Sequence, residues 1–307
     1  MNNANFGALM SIKSSLFILL LALFGCSFAW AADTDAEAIP SLRECADSNL
    51  QTDLEQALSQ LGLDRAAANG KLSVALVDIT DLSNPRLAAV NGDRMMYAAS
   101  LPKIAILLGA FVDIENGAFQ LDREAREVLT RMVRVSSNRD ATAMLNKVGK
   151  ERVLEILQSE RFKLYDQEQG GGLWIGKEYG KSPAYRRDPL HNLSHGATAL
   201  QAARFYYLLE TGQLVNPALS REMKSMLGNP GVAHKFVKGL KARPGTKIYR
   251  KSGSWRHWHA DSALVENGHY KYIAVALADN AKGGQWLSRL ITSLNDLIVP
   301  VQVANRD

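Results

Sequence analysis

Residues 98–112 read AASLPKIAILLGAFV and join a polar start to a long apolar run. From Ile104 to Val112 every residue except Gly109 is apolar, so a helix here would be hydrophobic on all sides and must lie inside the protein. The run is too short to span a bilayer. The stretch therefore predicts a buried helix at the centre of the fold.

Ser100 and Lys103 stand at the start of this helix. We expect Ser100 to be its N-cap, and Pro102 is tolerated in a first turn because its missing N–H would have no partner there. Residues three apart on a helix emerge on the same face, which would put the Lys103 amine beside the Ser100 hydroxyl. A serine hydroxyl is a weak nucleophile until a base takes its proton, and a neutral lysine can be that base. The alternative is a plain cap followed by a solvated lysine.

Two observations favour the chemical interpretation over the plain cap. Lys103 adjoins a fully apolar helix, where free solvation of its amine is difficult. Ser-x-x-Lys also occurs only once in the chain. We therefore treat Ser100 and Lys103 as a candidate nucleophile and base.

The N-terminus has the charged, apolar and small-residue order of a secretory signal. Lys13 precedes the apolar run from Leu16 to Phe24, and Ala29-Trp30-Ala31 follows. We expect residues 1–31 to be a signal peptide, and the protein to be exported and periplasmic. Because a small residue precedes Cys26 at the end of the apolar run, lipid anchoring at Cys26 is the alternative. No later stretch predicts a transmembrane helix in the mature chain.

Composition narrows the classes of partner. Lysine and arginine total 36 against 31 acidic residues, and the formal net charge is +5. The basic residues are scattered with no aromatic-interleaved run, so the sequence does not indicate nucleic acid. A mildly basic balance is compatible with a carboxylate-bearing substrate. Cys45 is the only cysteine after the signal, which predicts no internal disulfide.

Hydrophobic periodicity and turn residues predict the other elements. Strands are expected at Leu72–Ile79, Arg86–Val90, Thr246–Trp255, Ala260–Glu266 and His269–Ala278, the last two joined by an Asn267-Gly268 turn. Helices are expected at Ser41–Leu63, Asp122–Val135, Arg139–Val148, Glu151–Ser159, Thr198–Leu209, Pro217–Leu227 and Gln285–Leu297. Residues 164–194 read as a long irregular stretch, either functional or disordered.

This order of elements predicts an α+β fold with three layers, α/β/α. Its antiparallel sheet would be built from both chain ends, with an all-helical insertion between them. The sheet subdomain would comprise residues 41–97 plus 245–307, and the helical subdomain residues 98–244. Together they would form one catalytic domain.

Two more polar segments are candidates for a site. Ser136-Ser137-Asn138 lies at the break between two predicted helices, and Lys251-Ser252-Gly253 lies in a predicted strand. Gly253 would let a substrate backbone approach closely. Each segment alone is also explained by ordinary caps, turns or a solvent-facing strand lysine. Together and in this order, the segments SLPK, SSN and KSG resemble the three motifs of class A β-lactamases and the wider penicillin-recognising serine hydrolases, and the order of elements matches from about Ser41 to Leu297.

The resemblance implies catalytic roles for three residues. Ser100 would be the acylated nucleophile, Lys103 its base or proton relay, and Ser136 the group that passes a proton to the leaving nitrogen. Lys103 and Lys251 close together would each disfavour the other's proton, as would burial. We therefore expect Lys103 to be neutral near pH 7.

The resemblance also implies how a substrate is held. Asn138 would bind the amide side chain of the substrate, and Lys251 with Ser252 would hold its carboxylate. The oxyanion hole would be formed by the backbone N–H groups of Ser100 and Ser254. Fixed donors aimed at developing negative charge are usually the largest catalytic contribution.

The chain departs from this family in two places. Class A β-lactamases carry a glutamate in an E-x-x-L-N setting, which activates the water that releases the acyl group; this motif does not occur here. Glu168 is the nearest candidate by position, with a solvated loop charge as the alternative. The cluster Trp255–His259 is the second departure from the family pattern. Within it, Arg256 is a candidate for a second contact with a substrate carboxylate. His257 and His259 form a lone H-x-H pattern, too weak to indicate a metal site.

The sequence therefore predicts an exported serine hydrolase that forms an acyl-enzyme on Ser100 with a β-lactam or related amide. Alternatives are a D-alanyl peptidase or amidase acting on cell-wall peptides, and a penicillin-binding protein that is acylated without turnover. The expected partner is a small-molecule or peptide substrate, with no cofactor and no metal. Nothing in the sequence indicates the oligomeric state.

Overall fold

A computed structural model describes residues 40–300, so the predicted signal peptide and Cys26 lie outside the described residues. The α-helices are α1 Ser48–Gln60, α2 Asp64–Ala68, α3 Lys103–Glu115, α4 Arg123–Arg134, α5 Asn138–Val148, α6 Lys150–Gln158, α7 Ala199–Glu210, α8 Pro217–Leu227, α9 Phe236–Leu240 and α10 Gly283–Ile298. The β-strands are β1 Leu72–Asp78, β2 Arg86–Val90, β3 Met96–Tyr97, β4 Tyr165–Asp166, β5 Gly171–Gly172, β6 Trp174–Ile175, β7 His195–Ala197, β8 Thr246–Trp255, β9 Trp258–Asn267 and β10 Tyr270–Asp279. None of the helices found within residues 40–300 is long and apolar enough to cross a membrane.

The main sheet has five antiparallel strands in the order β2-β1-β10-β9-β8. Its central strands come from opposite ends of the chain, as predicted. The β9–β10 turn differs from the prediction, because Asn267 still pairs with Tyr270 and the turn residues are Gly268 and His269. Gly268 has φ +60°, a left-handed conformation that glycine adopts without strain.

Helices cover both faces of this sheet and give the three layers that were expected. On one face, α1 and α10 pack on the sheet through buried leucines that include Leu54, Leu287 and Leu294. On the other face lies the core that contains α3 and α7, joined to the sheet by Ala75, Val275 and other small or β-branched residues. Fully burying one leucine of this kind contributes about 1.5–3 kcal/mol to stability. The buried leucines on the α1 and α10 face therefore stabilise the sheet.

Helix α3 lies inside the helical part of the protein. Every residue from Lys103 to Val112 is buried, which confirms the prediction for this stretch. A Cβ at position 109 would lie 3.0 Å from Val148 Cγ1 and 3.1 Å from Val153 Cγ2, so Gly109 lets α5 and α6 pack closely on α3. The helix that carries Lys103 is therefore held on all sides.

Besides the β9–β10 turn, three other secondary-structure predictions were wrong. The helix expected at Ser41–Leu63 is divided into a 3-10 turn at Leu42–Cys45 and α1, because the Asp47 carboxylate caps a new helix start by accepting from the N–H of Leu50 at 2.7 Å. The strand expected from Ala260 begins earlier, at Trp258. The stretch 164–194 is not uniformly irregular, because it contributes short strands, of which β6 pairs with β7 in a small sheet with β3.

Candidate active site

Ser100 lies in a turn directly before α3 rather than at its N-cap. The cap position belongs to Pro102, and the N–H of Lys103 donates to the carbonyl of Ser100 at 3.3 Å. Ala99 has φ +50°, so the chain bends sharply into this turn. The prediction that Ser100 caps the helix was wrong, because Pro102 takes the cap position. Ser100 nevertheless lines a surface cleft.

Gly253 on β8 lies against the same turn. A Cβ at position 253 would lie 2.0 Å from the carbonyl oxygen of Ala98 and 2.7 Å from the backbone nitrogen of Ser100. The close approach that requires glycine is therefore made by the protein's own backbone, whereas the sequence suggested a substrate backbone. This packing brings the strand that carries Ser254 next to the Ser100 N–H.

Lys103 is fully buried and its amine has three acceptors. Nζ donates to the carbonyl of Ser136 at 2.6 Å, to Ser136 Oγ at 3.2 Å and to Asn138 Oδ1 at 2.8 Å. Burial lowers the pKa of Lys103 to about 7, although the nearby Asp140 carboxylate acts in the opposite direction. The buried Lys103 amine therefore loses its proton far more readily than an ordinary lysine.

Lys251 meets Lys103 at the same hydroxyl. Lys251 Nζ donates to Ser136 Oγ at 2.9 Å and to the carbonyl of Ser252 at 2.7 Å. Burial, together with the charges of Lys103 and Arg250, lowers the pKa of Lys251 well below its ordinary value. Ser136 itself has φ +59° at the break between α4 and α5. The Ser136 hydroxyl thus connects two amines that both lose protons readily.

A third buried amine, Lys235, lies beneath the strand and was not predicted. Its Nζ donates to the carbonyl of Gly253 at 2.5 Å, to Ser254 Oγ at 2.7 Å and to the carbonyl of Ala260 at 3.1 Å. Burial lowers the pKa of Lys235 to about 8. These contacts fix the segment of β8 whose N–H groups are candidate oxyanion donors.

The same region of the sheet contains a buried ion pair. Arg250 Nε donates to Asp261 Oδ1 and Arg250 Nη2 to Asp261 Oδ2, both at 2.7 Å, in a two-point contact. The side chains are 3% and 0% exposed. Asp261 also accepts from the N–H of Phe236 at 3.1 Å, which ties the segment that carries Lys235 to β9.

Tyr179 occupies the wall above Lys103. Its ring centroid lies 4.4 Å from Lys103 Nζ, and its hydroxyl donates to the carbonyl of Ala99 at 3.4 Å. Burial raises the pKa of Tyr179 well above its ordinary value, so the phenol stays protonated. His195 packs on the Tyr179 ring with centroids 4.6 Å apart, and burial lowers the pKa of His195 to about 4. A neutral aromatic wall therefore borders the Lys103 amine.

The cleft has a volume of about 740 Å³ and is bordered by two segments. Residues 177–187 form one wall, and the turn between β8 and β9 forms the other. Ser100, Asn138 and Ser254 line it, and so does Arg256. Glu168 does not, because it lies in a separate surface depression.

The carboxylates near the cleft are already bonded. Glu178 lines it but forms an ion pair with Lys150. Asp140 is buried and accepts from Arg131 Nε at 2.9 Å. Within residues 40–300, no carboxylate oxygen accepts a hydrogen bond from Lys103 or Lys251.

Metal-ligating side chains do not gather in the described part of the chain. No group of three or more histidine, cysteine, aspartate or glutamate side chains there could hold an ion. His257 Nε2 lies 3.2 Å from Asp279 Oδ1, while His259 Nδ1 lies 3.5 Å from Ser254 Oγ. The two histidines of the H-x-H pattern thus have different partners.

The chain matches the model of a known protein family. The model of the Beta-lactamase enzyme family matches residues 53–125 and 123–300. The chain belongs to the beta-lactamase enzyme family. A sequence search of curated proteins finds no significant match.

Several solved structures share this beta-lactamase fold. A β-lactamase from Sphaerobacter thermophilus superposes with a TM-score of 0.61 at 16% identity, covering 78% of this chain and 97% of that one. PBP-A gives a TM-score of 0.59 at 15% identity, over 82% of this chain and 98% of its own. The TLA-3 extended-spectrum β-lactamase gives 0.63 at 13% identity, over 80% and 95%. These likenesses confirm the predicted fold class.

Proposed function

We propose that this member of the beta-lactamase family is a serine hydrolase that is acylated on Ser100 by an amide substrate, either a β-lactam or a D-alanyl-type peptide. The observation that carries the proposal is the shared contact of Lys103 and Lys251 with Ser136 Oγ, together with the backbone N–H of Lys103 donating to the carbonyl of Ser100. A base with a pKa of about 7 is suited to take a proton at neutral pH.

In the proposed acylation step, Lys103 acts as the base. Neutral Lys103 accepts the proton of Ser100 Oγ as that oxygen bonds to the substrate carbonyl carbon. The N–H groups of Ser100 and Ser254 would donate to the resulting oxyanion. Ser136 then gives its proton to the leaving nitrogen as the C–N bond breaks, and it regains one from the Lys103 ammonium, which returns to its neutral form. The product is an ester on Ser100 and a free amine.

Substrate binding is assigned to three more residues. Asn138 lines the cleft and holds Lys103 through its Oδ1, which leaves its amide N–H group for a substrate carbonyl. Lys251 and Ser252 would hold the substrate carboxylate, as the family resemblance implies. Glu168 has no part in the proposal, because it lies outside the cleft.

Release of the acyl group depends on the side chains that border Lys103 and the cleft. Tyr179, a protonated phenol, borders Lys103, and Glu178 is bound by Lys150. A phenol and an ion-paired carboxylate are both poorly suited to activate the water that releases the acyl group. We therefore infer that a β-lactam adduct is released slowly. This favours a D-alanyl peptidase or amidase, or a penicillin-binding protein that is acylated without turnover, as the second candidate.

Intact mass spectrometry with benzylpenicillin separates these functions. A transient adduct on the purified protein indicates a β-lactamase, and a lasting adduct indicates a peptidase or a binding protein. Release of D-alanine from a D-alanyl-D-alanine peptide then separates the last two. Absence of any adduct would refute the proposal, and Ser100→Ala is the control that must stay unmodified.

We also propose that the protein is exported to the periplasm after removal of residues 1–31. The supporting observation is the order of charged, apolar and small residues at the N-terminus. The mass of the processed N-terminus tests it: a start at Ala32 supports release, and a lipid-modified Cys26 supports membrane anchoring. An unprocessed Met1 would contradict both.

A further inference from the structure

The cleft is bordered by cations on both of its walls. One wall contains Lys177, Lys181 and Arg187. The other wall contains Arg256, which lies in the turn between β8 and β9. Lys181, Arg187 and Arg256 are exposed, and Lys177 is partly exposed. All four line the same space as Ser100.

These four cations lack acidic partners among the described residues. Neighbouring cations on the same side of the molecule are paired, since Lys150 contacts Glu178 and Arg186 contacts Glu151. Arg187, by contrast, donates only to the carbonyl of Asn192, at 3.0 Å. The single carboxylate that lines the cleft, Glu178, is neutralised by Lys150. The cleft thus keeps an excess of positive charge.

Like charges around a cleft repel one another until an anion enters. A cleft lined by one sign of charge also concentrates oppositely charged substrates and speeds their association. One carboxylate of the substrate is already assigned to the buried Lys251 in the proposed function. The four wall cations line the cleft, whereas Lys251 is buried and is not among the lining residues, so the wall cations remain available to a second anionic group.

Aromatic side chains lie beside these cations. Trp255 is 57% exposed, and the Arg256 guanidinium lies 5.9 Å from its ring centroid. Trp258 and Tyr97 line the cleft with ring centroids 6.2 Å apart. Large apolar faces next to cations suit the uncharged body of an acidic peptide or acyl side chain.

We propose that the substrate is an acidic acyl donor with at least two carboxylates, one held at Lys251 and a second one bound between Arg256 and the wall formed by Lys181 and Arg187. This assignment rests on the proposed acylation of Ser100 and names the class of substrate for that site.

Two penicillins test the proposal because they differ by one carboxylate. Carbenicillin is benzylpenicillin with an additional carboxylate on its side chain. We expect carbenicillin to acylate the wild-type protein about fivefold faster than benzylpenicillin at low ionic strength, since exposed ion pairs contribute modestly. The ratio should fall toward one in about 0.5 M sodium chloride, which screens exposed charges.

Variants locate the effect. Arg256→Gln and Lys181→Gln should each lower the carbenicillin-to-benzylpenicillin ratio, and the double variant should bring it to about one. Arg123→Gln is the matched control, because Arg123 is 93% exposed on α4 and does not line the cleft. A ratio of one in the wild type, or a ratio that Arg256→Gln and Lys181→Gln leave unchanged, overturns the proposal.

Binding to Ser100→Ala separates this proposal from the proposed function. The fluorescence of Trp255 and Trp258 would report non-covalent binding without acylation. Tighter binding of carbenicillin together with no adduct on the wild type would support the charge preference and refute acylation. Equal binding and equal acylation would refute the charge preference and leave acylation standing.

Discussion

The pKa of Lys103 gives the sharpest prediction, which concerns the pH dependence of acylation. Burial lowers this pKa to about 7, and only the neutral amine can take the Ser100 proton. The neutral fraction is about one tenth at pH 6 and about nine tenths at pH 8. The acylation rate constant should therefore rise about tenfold between these pH values and then level off.

Replacing Asp140 tests whether Lys103 sets the midpoint of the pH profile. The Asp140 carboxylate favours the charged form of Lys103, and it is held by Arg131. Asp140→Asn removes the negative charge and leaves the Arg131 guanidinium, and both effects lower the pKa of Lys103. The midpoint of the pH profile should move to lower pH.

The assay is rapid mixing with benzylpenicillin, acid quench and intact mass, repeated from about pH 5.5 to pH 9. The penicillin carboxylate stays ionised over this range, since carboxyl groups titrate near pH 4 or below. The pKa of Lys235, about 8, lies in the same range, so Lys235→Met is run alongside and should keep the midpoint near 7. A flat profile, or a midpoint near 10, would refute the assignment of Lys103 as the base.

Three other substitutions have defined outcomes. Gly253→Ala should slow acylation about 100-fold, because its Cβ would lie 2.0 Å from the carbonyl oxygen of Ala98 and displace the Ser100 turn; rapid-quench rates check this. Lys235→Met should lower the acylation rate constant by up to about 100-fold and leave the affinity of the non-covalent complex unchanged, because Lys235 fixes the candidate oxyanion strand; equal losses in both quantities would contradict this positioning role. Asp261→Ala leaves Arg250 buried without its partner and should lower the free energy of unfolding by about 3–5 kcal/mol, measured by urea denaturation.

The elements could be predicted where the signal is local. The apolar run after Lys103 and the β-branched run from Leu72 each require burial, and the structure buries both. The helix expected at Ser41–Leu63 failed because apolar spacing says nothing of the capping carboxylate at Asp47. The prediction for Ser100 failed in the same way, because the apolar spacing does not show that the helix begins after Pro102.

The site could be predicted only in part. Ser100 and Asn138 line one cleft, and Lys103 and Lys251 meet at the Ser136 hydroxyl. The roles that the resemblance implies for these residues and for Ser252 stay predictions. Lys235 and Tyr179 escaped prediction because their contacts join segments that no local pattern relates. Their significance comes from burial against β8 and Lys103, which only the folded chain shows.

Peptide mapping of the penicillin adduct tests the central claim most directly. Trypsin cleavage after Arg94 and Lys103 yields the peptide 95–103, in which Ser100 is the only serine. After reaction with benzylpenicillin, this peptide should gain the mass of the penicilloyl group, with fragment ions placing it on Ser100. An adduct on the peptide that contains Ser136, or unmodified peptides throughout, would contradict the account.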